Sequence, residues 1–110
     1  MNILLVEDEP AVRTGTEQFL RQRGFTVVTA TSGEEALKKF TRADVIVLDI
    51  MLPGMSGIEV LHQIRQTSDV PVLMLTALHD EPTQIASFDE LADDYMSKPF
   101  SLVILEKRIK

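Results

Sequence analysis

Two short segments, Val45-Ile46-Val47-Leu48 and Val72-Leu73-Met74-Leu75, are apolar at every position. A strand with one wet face alternates polar and apolar residues, and these do not. Strands of this kind are covered on both faces, which in a small chain means a parallel sheet with helices above and below. The condition is severe, because each parallel neighbour requires a crossover connection of a dozen or more residues.

The rest of the sequence supplies such connections. Further strand-like runs lie at residues 3–6 and 26–30, the fourth run extends over 70–75, and a weaker one covers 94–96. Stretches with apolar residues at three- and four-residue spacing fall between and after them, at 11–20, 33–40, 57–64, 83–91 and 102–109. Punctuation agrees with this division. Asp8-Glu9-Pro10 opens the first helix with an acidic cap and a proline, Gly24 closes it, and Ser32-Gly33-Glu34-Glu35 opens the second. Pro71 is expected at the first residue of its strand, where a missing N–H costs least. The reading is a (βα)5 α/β fold, a doubly wound parallel five-stranded sheet of order 2-1-3-4-5.

Composition narrows the class. The chain has 110 residues, enough for one domain that buries about two-thirds of its unfolded surface. It contains no cysteine, which removes disulfides, zinc–thiolate sites and thiol nucleophiles. A net charge of −6 disfavours non-specific grip on nucleic acid or anionic lipid. No apolar run approaches a membrane span, and Glu7 interrupts the N-terminal run too early for a secretory signal, so the expected compartment is the cytoplasm.

In open parallel sheets the working crevice lies beyond the carboxyl ends of the strands, where the strand order reverses. Strand 1 runs into Glu7 and Asp8, strand 3 into Asp49, strand 4 into Thr76 and strand 5 into Lys98-Pro99. Three carboxylates thus flank the expected switch point. At ~4 Å and an effective dielectric near 20, each ionised pair costs roughly 4 kcal/mol, which a proton or a cation relieves. Hard oxygen donors with room for water suit Mg2+ or Mn2+. A metal, a lysine and a hydroxyl together suit an anion with several oxygens, such as a phosphoryl group, and a carboxylate within the site can itself become an acyl phosphate. Taken singly, Asp8 reads as a helix cap, Asp49 as a turn former, Thr76 as a strand end and Lys98 as a solvated lysine. Coincidence is a poor account of all four falling on one edge.

The segments Ile3-Leu4-Leu5-Val6-Glu7-Asp8-Glu9, Val47-Leu48-Asp49-Ile50-Met51-Leu52-Pro53-Gly54, Leu75-Thr76-Ala77 and Asp93-Asp94-Tyr95-Met96-Ser97-Lys98-Pro99-Phe100 resemble the receiver domain of bacterial two-component response regulators. The similarity covers the whole chain, in order and at the family's spacing, so that residues 1–110 read as one receiver domain ending within its last helix. It implies that Asp49 accepts a phosphoryl group from a partner sensor histidine kinase. Asp8 would bind Mg2+ directly, Glu7 directly or through water, with Asp49 and the Met51 backbone carbonyl completing the protein's share. Lys98, the Thr76 hydroxyl and the backbone N–H groups of Met51 and Ala77 would hold the phosphoryl oxygens. Lys98-Pro99 resembles the family's cis peptide, and Thr76 and Tyr95 its switch pair.

Asp93, Asp94 and Arg108 further resemble charged residues that the winged-helix (OmpR/PhoB-like) subfamily exchanges across a dimer face. That face is built by the fourth helical stretch, strand 5 and the last helix. In that subfamily a DNA-binding output domain follows, so DNA would be reached only through residues absent from this chain. The sequence departs from the pattern at Leu91, where glycine is frequent, at Pro82 and Ser87, and at Gln84, where a basic residue is usual. Residues 80–94 hold six acids and no base, readable as a solvated face or as a docking surface. Two other classes compete. A haloacid-dehalogenase-type phosphatase would need a second aspartate two residues after Asp49, where Met51 stands, and a cap domain. A pseudo-receiver would lack an acceptor or a cation, and neither is missing.

Overall fold

The structure, a computed structural model, describes residues 1–50, 52–77, 94–98 and 101–109, and at 76, 77, 94, 95, 97 and 98 it describes the backbone alone. The described elements are β1 (Asn2–Val6), α1 (Pro10–Gln22), β2 (Thr26–Ala30), α2 (Gly33–Lys39), a 3-10 turn (Phe40–Arg42), β3 (Val45–Asp49), α3 (Gly57–Arg65), β4 (Val72–Ala77), β5 (Asp94–Lys98) and a last helix (Leu102–Ile109). The strands pair in parallel in the order β2-β1-β3-β4-β5. The helical stretch expected at 83–91, with Pro82, Gln84, Ser87 and Leu91, lies outside the described residues.

The period of two along each strand divides the core into halves. Leu4, Val6, Ile46, Leu48, Val72 and Met74 face α2 and α3, packing on Ala36, Val60, Leu61 and Ile64. Ile3, Leu5, Val45, Val47, Leu73 and Leu75 face the other way, onto Leu20 of α1 and Leu105 and Ile109 of the last helix. Every residue of β3 is buried, as a central strand covered on both faces requires.

Helix boundaries follow local chemistry, with two corrections to the expected punctuation. The cap of α1 is Glu9, and no side chain caps it. Pro10 has no N–H to satisfy, and the first turn is closed by the Arg13 N–H donating to Glu9 O at 2.9 Å. Pro71 precedes β4 rather than beginning it, where a missing N–H removes no ladder bond of the strand, and its carbonyl accepts from Ile46 N at 2.9 Å. At α2, Ser32 Oγ accepts from the Glu35 N–H, and Glu35 reaches back to the Thr31 N–H at 2.7 Å. At α3, Ser56 Oγ accepts from the Glu59 N–H. Gly24, at φ +94°, turns the chain out of α1 into β2.

Two substitutions test these local arguments. A Cβ added at Gly15, on the exposed side of α1, meets nothing within 4 Å. Gly15→Ala is therefore expected to stabilise the fold by up to about 1 kcal/mol in urea unfolding, and a destabilised variant would contradict the open surface. Glu35 has its pKa lowered from 4.5 to about 2, first by its hydrogen bond to Lys39 and next by that from the Thr31 N–H. A depressed carboxylate stabilises the fold above its unfolded value, and that contribution disappears as pH falls from about 4.5 through about 2. The side chain is 36% exposed, so solvent holds the effect to roughly 0–1 kcal/mol. The gap in stability between the unaltered chain and Glu35→Gln should narrow over that range, and a pH-independent gap would remove the assignment.

Candidate functional site

The switch point lies between β1 and β3, because the chain leaves β1 toward β2 on one side and returns to β3 on the other. Register fixes what meets there. Val6 pairs with Leu48, and one residue further on Glu7 follows β1 while Asp49 ends β3. The Glu7 N–H donates to Ala30 O at 3.0 Å, which extends the backbone order of β1 past the strand.

Glu7, Asp8 and Asp49 each offer a carboxylate oxygen, and these atoms lie within 4.8 Å of one another. Glu7 is 1% exposed and Asp49 3%, whereas Asp8 opens to solvent. Two acids are thus set at the floor of the crevice and one at its rim. Oxygen atoms at this separation repel by roughly 3 kcal/mol per ionised pair before screening. A divalent cation converts that repulsion into attraction, and an all-oxygen donor set partly open to water fits Mg2+. Asp8 is not spent on capping α1, since Glu9 occupies the cap position.

The other candidates are placed by their strands. Thr76 and Ala77 are the last two residues of β4 and Lys98 is the last of β5, whereas the apolar pattern alone predicts strands that stop short of them. The β4–β5 ladder continues to the pairs Thr76↔Ser97 and Ala77↔Lys98, so parallel pairing holds Thr76 and Lys98 in strand conformation although both are polar. Asp49 pairs with Leu75, which sets Thr76 one residue further along the same edge. Tyr95 and Asp94 lie deeper in β5, opposite Met74 and Leu73, and Arg108 is exposed on the last helix. Met51, Asp93 and Pro99 lie outside the described residues, and with them the Lys98–Pro99 peptide. His62, on α3, is exposed.

Two residues that sequence reasoning passes over belong to this edge. Arg13 Nη1 donates to the carbonyl oxygens of Glu7 (3.2 Å) and Asp8 (3.3 Å), tying the acidic turn to the first turn of α1. Gly57, at the start of α3, lies against the backbone of Asp49 and Ile50. The Arg13 contacts are to main-chain oxygens and leave no pattern in the sequence. Gly57 has a faint signal in the pair Gly54 and Gly57 that brackets the turn into α3.

The chain is similar to known proteins over nearly its whole length. The family described as response regulator receiver domain matches residues 3–110. Response regulator RR06 of Streptococcus pneumoniae is 50% identical over 112 residues, covering 100% of this chain and 52% of that protein. The alkaline phosphatase synthesis transcriptional regulatory protein PhoP of Bacillus subtilis is 46% identical over 111 residues, covering 98% of this chain and 46% of that protein. The chain spans about half the length of the curated relatives it matches. Among solved structures, a putative response regulator from Chloroflexus aurantiacus superposes with a TM-score of 0.89 at 38% identity, over 99% of this chain and 93% of that one. The response regulator TrrA of Thermotoga maritima, solved in complex with Mg2+ and BeF, gives a TM-score of 0.86 at 38% identity, over 98% of this chain and 95% of that one.

Proposed function

The chain belongs to the response regulator receiver domain family, and from that membership we propose that it is a phosphorylation-activated switch with Asp49 as the phosphoacceptor. The observation that carries the proposal is the gathering of the Glu7, Asp8 and Asp49 oxygens within 4.8 Å at the switch point of the sheet. Among the described residues no helix is long and apolar enough to cross a membrane. A cytoplasmic location, opposite a sensor histidine kinase, is part of the same proposal.

In the proposed reaction an Asp49 carboxylate oxygen attacks the phosphorus of a phosphohistidine on the kinase. The new P–O bond forms as the P–N bond breaks, and the departing imidazole nitrogen keeps the electron pair and takes a proton from solvent. Glu7, Asp8, Asp49 and the Met51 carbonyl would hold Mg2+, with Mn2+ as a substitute. When bound, the ion supplies positive charge against the three carboxylates and the phosphoryl oxygens. Lys98, Thr76 and the backbone at Ala77 and Met51 would receive the transferred group, with Lys98-Pro99 shaping the lysine's approach.

Phosphorylation then biases an equilibrium between two arrangements, Thr76 and Tyr95 carrying the change. A shift from 1:99 to 99:1 takes about 5.5 kcal/mol of differential stabilisation. The output is dimerisation through Asp93, Asp94 and Arg108, on a face shared by the 83–91 segment, β5 and the last helix. Residues 1–110 form the receiver unit, and an output domain reaches DNA in a longer protein. Val103 and Ile104, 47% and 48% exposed on the last helix, supply apolar surface for such a face. The test is to treat the chain with acetyl phosphate and Mg2+, then read intact mass and light scattering on one sample. One phosphoryl group and a dimer are expected; no uptake would remove the switch, and a phosphorylated monomer would remove the dimer face.

A further inference from the structure

We propose that Gly57 is a positioning residue for the phosphoacceptor, its missing side chain allowing the first turn of α3 to seat directly on the Asp49–Ile50 backbone. The inference rests on the reading of Asp49 given above and adds to it a steric determinant on another element.

A Cβ built on Gly57 would fall on the Asp49 carbonyl oxygen, 2.7 Å from Ile50 Cα and 2.9 Å from the Asp49 carbonyl carbon. These are backbone atoms, so no side chain can turn aside. The same glycine donates its N–H to Ile50 O at 2.8 Å, closing the turn that runs from the end of β3 into α3. Neither partner can retreat freely. On the sheet side, the Ile50 N–H donates to Leu75 O at 3.1 Å and Asp49 is in register with Leu75. On the helix side, Val60, Leu61 and Ile64 are each 0% exposed. Val60 is also pressed against α2, where a Cβ on Gly33 would come within 2.6 Å of Val60 Cγ2.

A methyl group at position 57 therefore displaces the peptide that follows the acceptor. That peptide fixes the direction of the Asp49 side chain, whose oxygen must stay beside those of Glu7 and Asp8. Catalytic geometry is intolerant of such shifts: a misplacement of ~1 Å costs on the order of 100-fold in rate. Gly33 provides the control. It is also crowded, though less tightly, and by the Val60 and Met55 side chains rather than by the acceptor's backbone.

The experiment measures phosphorylation by acetyl phosphate in the unaltered chain, Gly57→Ala and Gly33→Ala. Rates are taken at saturating Mg2+ and divided by the folded fraction from circular dichroism, and the Mg2+ concentration for half-maximal rate is recorded separately. Gly57→Ala is expected to lose on the order of 100-fold in rate per folded molecule and to need more Mg2+, while Gly33→Ala stays within about twofold. A folded Gly57→Ala that reacts at the unaltered rate overturns the inference, and so does an equal loss in Gly33→Ala. If Gly57→Ala is largely unfolded, the readings are made in the cold with sucrose, which favours the folded state. Recovery of the fold with labelling still slow supports the inference, and recovery of both overturns it. An unlabelled parent chain would instead sink the reading of Asp49 itself, and the inference with it.

Discussion

Asp49→Asn is expected to take up no phosphoryl group from acetyl phosphate and Mg2+, while folding as well as the parent chain or better. The two halves of the result have separate causes. An amide oxygen carries no full negative charge and does not form a stable acyl phosphate, so the nucleophile is gone. The shape is kept, which matters at a position 3% exposed at the end of a wholly buried strand. The substitution also removes one of three charges whose oxygens lie within 4.8 Å. Roughly 3–4 kcal/mol of repulsion per ionised pair is relieved before screening, so the metal-free midpoint in urea should rise. Intact mass and a denaturant titration read both effects. Undiminished labelling would move the acceptor to another carboxylate, and a sharply destabilised variant would mean that the Asp49 charge holds the fold together.

Much of the fold is legible in the sequence because the constraint that shapes it is local. Segments apolar on both faces must sit in the middle of a covered parallel sheet, and β3 is buried at every residue. The last helix, with Leu102, Leu105 and Ile109 on one stripe, occupies the expected residues 102–109. The points that differ are strand ends set by tertiary pairing and one helix start set by a proline. Thr76 and Lys98 are polar and read as lying past their strands, yet the ladder between β4 and β5 carries both in strand conformation. Glu9, not Asp8, sits at the start of α1, and the proline makes a side-chain cap unnecessary there.

The acidic cluster is legible for a topological reason: Glu7 and Asp8 follow one strand and Asp49 ends another, and the switch-point rule puts those ends together. Arg13 and Gly57 are not, since each acts through main-chain atoms. A guanidinium on two carbonyl oxygens, or a glycine against a peptide eight residues away, has no signature until the chain is folded.

Magnesium should act on the unphosphorylated chain as a folding ligand, and Asp8→Asn should erase that action. A ligand bound only by the folded state stabilises it by about 2.7 kcal/mol at 100 times its dissociation constant. For a domain near this size each kcal/mol is worth roughly 4–8 °C, so the midpoint should rise by roughly 10–20 °C and fall back when a chelator is added. The unfolded chain cannot compete, because the three carboxylates come from positions 7, 8 and 49 and meet only across the strand order. Asp8→Asn removes the solvent-facing donor while leaving the two buried acids in place. Its metal-free midpoint should be higher than the parent's, and its response to Mg2+ should shrink to that of NaCl at matched ionic strength. The salt control is essential, because a chain of net charge −6 gains from screening alone. An Asp8→Asn protein that still gains the full magnesium shift would show that the ion binds elsewhere, and equal shifts from NaCl and Mg2+ in the parent would show that the three acids bind no ion.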